Sequence, residues 1–156
     1  MNLYLDIDPP RTTAQQKGER VDRYGHIHHY MKASVRKAHD LLLRELLPAR
    51  PDAPIEGPIS LSCIWVFNRP RGEKAEYKTT RPDTDNLQKL LKDVMTECGY
   101  WLDDSQVVSE LAVKMWSGND GPYRKRGIYI TYRKIREGAA AAGQKAEGGR
   151  KTEGTE

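Results

Sequence analysis

The sequence predicts an α+β fold, a mixed β-sheet covered by two main helices, and three observations carry that expectation. Two stretches repeat apolar residues every three to four positions, others alternate apolar with polar residues, and prolines and glycines fall between them. Residues 2–7 alternate as a short strand. The polar stretch 9–25, with its prolines and glycines, reads as a long loop or irregular arm. A helix is expected over about 29–47, because Met31, Val35, Ala38, Leu42 and Leu46 form one stripe and Pro48 and Pro51 stop it. Leu41, Leu43 and Leu47 lie outside that stripe, so the helix should be covered on more than one side, which fits dimerisation as well as burial. Residues 59–67 put Ile59, Leu61, Cys63, Trp65 and Phe67 on one face of a strand. A basic loop, 68–82, leads to a second helix over about 84–98. Its stripe is Leu87, Leu90, Leu91, Val94, Met95 and Cys98, and Gly99 suits the left-handed position that ends a helix. Strands at about 106–116 and 126–135 follow, separated by a turn at 117–122. From 137 onward Ala, Gly, Glu and Lys run without an apolar period, which predicts a disordered tail over 137–156 and one domain over 1–136.

Composition narrows the function classes. The 156 residues carry 26 Lys and Arg against 22 Asp and Glu, a net +4, and their 37% hydrophobic content suffices for one core. No window approaches the roughly 18 consecutive apolar residues of a membrane span. The start lacks a basic region followed by an apolar one, so a soluble, cytoplasmic protein without a membrane partner is expected. Cys63 and Cys98 are too few for a disulfide framework or a zinc cage. His26, His28 and His29 match no zinc spacing and read as surface or packing groups, while Trp65, Trp101 and Trp116 read as core.

The distribution of charge says more than its total. Segment 9–37 is basic, and so is 68–82, where Arg69, Arg71, Lys74, Lys78 and Arg81 face only Glu73 and Glu76. Between them and the final strands lies an acidic block with Asp83, Asp85, Asp93, Glu97, Asp103 and Asp104 against Lys89 and Lys92. On the second helix, Asp85 and Lys89 are four apart and share the exposed face. Asp83 would point away from Asp85 if helical, so the two carboxylates converge only if Asp83 is the residue just outside the helix. Bland roles exist for each group: a helix cap for Asp83, a surface ion pair for Asp85 with Lys89, a polar turn for Asp103 with Asp104. A helix of this length spans about 22 Å, so Asp104 meets Asp83 only if the following strand entry lies back beside the helix start. Carboxylates gathered on a basic surface would call for a hard divalent cation, Mg²⁺ or Mn²⁺.

The run Asp83-Thr84-Asp85-Asn86-Leu87-Gln88-Lys89, followed by Gly99-Tyr100-Trp101-Leu102-Asp103-Asp104-Ser105-Gln106-Val107-Val108, resembles the core of the RusA-type Holliday junction resolvases of bacteria and their phages. Order, spacing and the lysine match over about 81–115, and the amino-terminal half is looser. The resemblance implies a homodimeric, Mg²⁺-dependent endonuclease that nicks four-way DNA junctions symmetrically, in recombination and repair. By position, it implies that Asp83, Asp85 and Asp104 are metal-binding carboxylates, that Lys89 is the catalytic lysine, and that Asp103 is the less essential member of its pair. The chain departs from the shortest family members in its long arm and in Pro82, at a position where an arginine can stand. Arg69, Arg71, Lys74, Lys78 and Arg81 are the expected DNA contacts. Two other readings compete: a non-catalytic basic nucleic-acid-binding protein, which would need no such set of acids and lysine, and a metal nuclease selective for flaps or forks.

Overall fold

Every odd position from 59 to 67 is apolar and every one is buried, so this segment becomes the central strand of the sheet. The computed structural model describes residues 1–11, 17–118 and 120–136, with backbone alone at 17–20 and 28–31. The chain runs β1 (Asn2–Leu5), β2 (Lys17–Val21), β3 (Ile27–Met31), α1 (Ala33–Leu46), β4 (Ile59–Phe67), α2 (Thr84–Glu97), β5 (Val107–Trp116) and β6 (Gly127–Lys134). Four strands form one sheet in the order β1-β6-β4-β5. β1 and β4 both lie antiparallel to β6, and β5 lies parallel to β4, which makes the sheet mixed. The α+β class expected from the sequence is therefore the fold observed.

Both helices cover one face. Val35, Ala38, Leu42 and Leu46 of α1 are buried, as are Leu87, Leu90, Leu91, Val94 and Met95 of α2. The core they form with the odd positions of β4 also takes in Ile128, Ile130 and Tyr132 of β6, together with Trp101 and Trp116. All three tryptophans are core residues, and the indole Nε1 of Trp101 donates to Thr96 Oγ1 at 2.7 Å. The opposite face holds a smaller cluster around Ile64, Val66 and Met115. Gly99 closes α2 with φ +82°, its N–H donating to Thr96 O and that of Tyr100 to Met95 O, the paired bonds of a Schellman cap. Pro48 follows α1 in a short 3-10 turn at Leu47–Ala49.

The amino-terminal arm corrects the sequence reading. Part of the stretch expected to be irregular is a hairpin, with β2 antiparallel to β3 and Val21 opposite Ile27. Asp22 fixes its tip, since Oδ1 accepts from the backbone N–H of Tyr24 at 2.8 Å and of His26 at 3.0 Å. The first helix accordingly starts at Ala33 rather than 29, because Met31 belongs to β3 and Lys32 is extended. The side chains of His28 and His29 and the tail 137–156 lie outside the described residues. His26 is exposed and faces Asp22.

One contact ties the two helices electrostatically. His39 Nε2 lies 2.7 Å from Glu97 Oε2, and Nδ1 lies 3.3 Å from Asp40 Oδ1. Burial pushes the His39 pKa down, but the bonds to Glu97 and Asp40 outweigh it and raise it above 6.5. A histidine with a raised folded pKa stabilises the fold below its unfolded value and loses that contribution as pH rises through the folded one. Stability should thus fall by under about 1 kcal/mol between pH 6 and pH 8, a small figure because Glu97 is half exposed. Urea unfolding at the two pH values, compared with His39→Gln, measures it; an unchanged difference in the variant would assign the effect elsewhere.

Candidate active site

Pro82 is buried, and the chain turns there from the basic loop into α2 with Asp83 as the residue just before the helix. Asp83 is extended, with φ −78° and ψ +150°, and its backbone carbonyl accepts from Leu87 N–H. Its side chain makes no capping bond. Asp85 sits in the first turn on the exposed face. Among the described residues, neither carboxylate has a hydrogen bond or ion pair, so the bland roles of cap and surface pair are both unfilled. Lys89 turns the other way along the helix. Its Nζ lies 3.4 Å from Asp93 Oδ1, and the side chain remains 58% exposed, which leaves the ammonium free to move.

Two lysines hold the segment that delivers Asp83. Lys78 is 8% exposed, and its ammonium donates to the Thr80 carbonyl and hydroxyl and to Arg81 O, the last at 2.6 Å. Lys114, on the helix-facing side of β5, donates to Thr80 O at 2.8 Å and to Pro82 O at 2.6 Å. Three successive carbonyls are thereby fixed immediately before Asp83. Lys78 also lies 4.9 Å above the Trp116 ring and 5.3 Å above Phe67. Burial, then the charges of Lys114 and Arg11, pull its pKa below the usual lysine value. The sequence reading did not single out Lys114; the signal was a lysine in the core-facing register of a strand, between Val113 and Met115.

Asp103 and Asp104 take different roles at the entrance of β5. Asp103 caps a 3-10 turn at Asp104–Gln106, accepting from Ser105 N–H at 2.9 Å, and those bonds hold its carboxyl below the usual aspartate range. Gln106 completes the box through Oε1, and its Nε2 reaches the carbonyls of Ile55 and Gly57. The Asp104 carboxylate makes no such contact among the described residues and is half-buried.

Topology places Asp104 far from Asp83 and Asp85 within one chain. Because β4 and β5 are parallel, the α2 that joins them must run back along the sheet. Its start lies near the exit of β5, where Pro82 meets Lys114, and Gln88 and Lys92 lie near Leu111 and Glu110. The entrance of β5, with Asp104, lies at the other end, about 21 Å away for a 14-residue helix. The strand entry does not return beside the helix start. Among the described residues no three His, Cys, Asp or Glu side chains gather closely enough to hold a metal ion, so the carboxylates of a single chain do not fit one.

The basic loop divides in two. The Arg69 guanidinium is occupied inside the loop, with Nε donating to Ser117 O at 2.7 Å and an Nη donating to Ala75 O at 2.7 Å and to Glu73 O at 3.2 Å. Lys78 is buried as described. Arg71, Lys74 and Arg81 are exposed and face solvent. If they meet phosphates, Arg71→Ala with Lys74→Ala should reduce the slope of log affinity against log salt by about 1.8, whereas Arg69→Ala should cost about 1 kcal/mol of stability. DNA titrations at several salt concentrations and thermal melts read the two effects separately.

The family profile described as Endodeoxyribonuclease RusA matches residues 9–123. The crossover junction endodeoxyribonuclease rusA of Lactococcus phage r1t is 33% identical over 115 residues, covering 67% of this chain and 79% of the phage protein. The crossover junction endodeoxyribonucleases of Escherichia coli K12 and Enterobacteria phage 82 are 57% identical over a shorter stretch of 35 residues, 22% of this chain and 29% of each relative. The chain belongs to the RusA family of endodeoxyribonucleases, enzymes of the crossover-junction type.

Proposed function

We propose that this protein is a metal-dependent endonuclease that resolves four-way DNA junctions by nicking opposed strands, working as a homodimer in recombination and repair. The observation that carries this is the start of α2: two carboxylates without partners among the described residues and an exposed lysine, held in place next to a basic loop, in a chain of the RusA family. Asp83, Asp85 and Asp104 are its proposed metal-binding residues, Asp104 coming from the other chain of the homodimer because α2 keeps it about 21 Å from the first two within one chain, and Mg²⁺ or Mn²⁺ suits their hard oxygens. Such an ion, when bound, neutralises charge at a phosphodiester and acidifies a water. Lys89 supplies a mobile cation to the phosphoryl oxygens or orients the attacking water. Arg71, Lys74 and Arg81 bind flanking phosphates, while Arg69 and Lys78 keep the loop in shape for them. Asp103 acts through the turn that presents Asp104.

The unit carrying this activity is 1–136. No helix among the described residues is long and apolar enough to cross a membrane. A branched-DNA substrate fits a protein that works in the cytoplasm of a bacterium or a phage-infected cell. Incubating four-way, forked and linear DNA with the protein, with Mg²⁺ and with chelator, tests the proposal. Paired nicks at opposed positions of the four-way junction, abolished by chelator, are expected. Preferential cutting of the fork would replace the substrate with a flap or fork, and binding without cutting under any metal would leave a nucleic-acid-binding protein.

A further inference from the structure

No described helix covers the other face of the sheet, and the strand registers sort its residues into rows. Tyr4, Tyr129, Ile64 and Val113 stand side by side across β1, β6, β4 and β5. Asn2, Thr131, Ser62 and Leu111 form the next row, and Arg133 pairs with Ser60 in the one after. An aromatic and apolar row thus gives way to hydroxyls and an amide, and then to a cation.

A cavity of about 280 Å³ opens over the first two rows, and its walls include Asn2, Ser62, Ile64, Tyr123, Tyr129 and Thr131. The Tyr123 and Tyr129 rings make one corner, with centroids 5.1 Å apart and planes at 72°, and Tyr4 lies against Tyr129 at 4.7 Å. Tyr129 is fixed by its hydroxyl, which donates to Lys125 O at 3.0 Å. Thr131 Oγ1 donates to Asn2 Oδ1 at 2.9 Å, which leaves the Asn2 amide nitrogen as a donor. The hydroxyls of Ser62 and Tyr123 have no partner among the described residues. We infer that this cavity takes one unpaired base of a DNA strand, stacked in the tyrosine corner with its polar edge toward Asn2, Ser62 and Thr131; the choice of DNA rests on the nuclease reading.

Size, chemistry and charge choose the occupant. The volume lies below the roughly 300–1,000 Å³ of pockets for drug-sized ligands, so a single ring system fits it. A wall that both donates and accepts matches the edge of a base, which carries both kinds of group. Exposed Arg124 and Arg133 form no ion pair among the described residues, and Lys125 Nζ lies 5.2 Å above the Tyr4 ring, so cations for the backbone stand beside the aromatic row. Position links the cavity to the reaction. The row of Lys114, which anchors Pro82 from the helix side, is the row next to Tyr129, and β5 and β6 are two strand spacings apart, about 10 Å. The end of β4 meets the start of β6, so Arg71 and Lys74 of the basic loop lie at the same end of the sheet as Arg124 and Lys125. A strand leaving the start of α2 can cross that cationic end and turn a base onto the far face. Stacking there needs a base out of its pair, and a four-way branch point, where strands exchange partners, supplies one more readily than a duplex.

Photocrosslinking in the presence of chelator tests this apart from cleavage. A short single-stranded oligonucleotide carrying one 5-iododeoxyuridine should crosslink to Tyr123 or Tyr129, located by peptide mass spectrometry, and the same oligonucleotide within a duplex should not. Tyr123→Ala, checked for folding by circular dichroism, should weaken single-strand binding by about 5- to 150-fold, and Tyr123→Phe, which keeps the ring, should restore most of it. Arg133→Ala should lower the slope of log affinity against log salt by about 0.7. Crosslinks confined to other residues, or unchanged affinity in Tyr123→Ala, would overturn the base pocket, while Mg²⁺-dependent cutting of four-way DNA by the same preparation would leave the nuclease reading standing. Equal crosslinking of free 5-iododeoxyuridine monophosphate would make the occupant a mononucleotide and overturn the assignment to a DNA strand. A wild-type protein that binds neither single-stranded nor four-way DNA would overturn the reading beneath as well.

Discussion

Asp85→Asn is expected to lower metal-dependent junction cleavage by about a thousandfold or more, equivalent to about 4 kcal/mol of transition-state stabilisation, while junction affinity is kept or slightly improved. The substitution removes an anion without altering size, at an exposed first-turn position of α2 with no hydrogen-bond partner among the described residues. Folding should therefore be untouched, and thermal melting within about 0.5 kcal/mol of the parent is the control. Affinity should hold because DNA phosphates gain from one fewer negative charge on the facing surface. Gel-shift titration beside single-turnover cleavage separates the two quantities. Cleavage retained near the parental rate would remove Asp85 from the reaction.

Lys114→Met should have the next largest effect and a different signature. It leaves Pro82 O without its ammonium donor and Thr80 O with Lys78 alone, in a part-buried setting. The expected cost is about 1–3 kcal/mol of stability. Cleavage should fall by about 10–100-fold, as for groups that orient others rather than touch the reacting atoms. The discriminating readout is the metal concentration at half-maximal rate, which should rise, because Asp83 is the first residue beyond the released carbonyls. Lys114→Arg should rescue part of both effects. A variant that melts earlier but cleaves with unchanged metal dependence at low temperature would confine Lys114 to stability.

Periodic apolar spacing made the body of the fold legible. The stripe of α2 and the odd positions of β4 are buried as their spacing demands, and Gly99 ends α2 for the steric reason expected. The hairpin of β2 and β3 escaped because neither Lys-Gly-Glu-Arg-Val nor Ile-His-His-Tyr-Met alternates apolar with polar residues, so neither shows the period of a half-buried strand. Within the acidic block, the sequence identified chemically capable groups and correctly put Asp83 outside the helix, since local geometry depends on neighbours in the chain. It could not say which end of β5 lies near the start of α2. That depends on β4 and β5 being parallel, a long-range pairing that no local pattern encodes. Charge counting likewise treated Arg69 and Lys78 as outward contacts, whereas bonds to backbone carbonyls turn both inward.

The paired lysine bonds just ahead of α2 bear on how such enzymes diversify. By re-anchoring the chain to β5 at Thr80 and Pro82, they uncouple everything between the exit of β4 and that anchor from the position of Asp83. Insertions, deletions or charge swaps at 70–76 can then accumulate under selection for new targets while the reactive end stays where it is. Divergence in what is recognised need not wait on divergence in what is done.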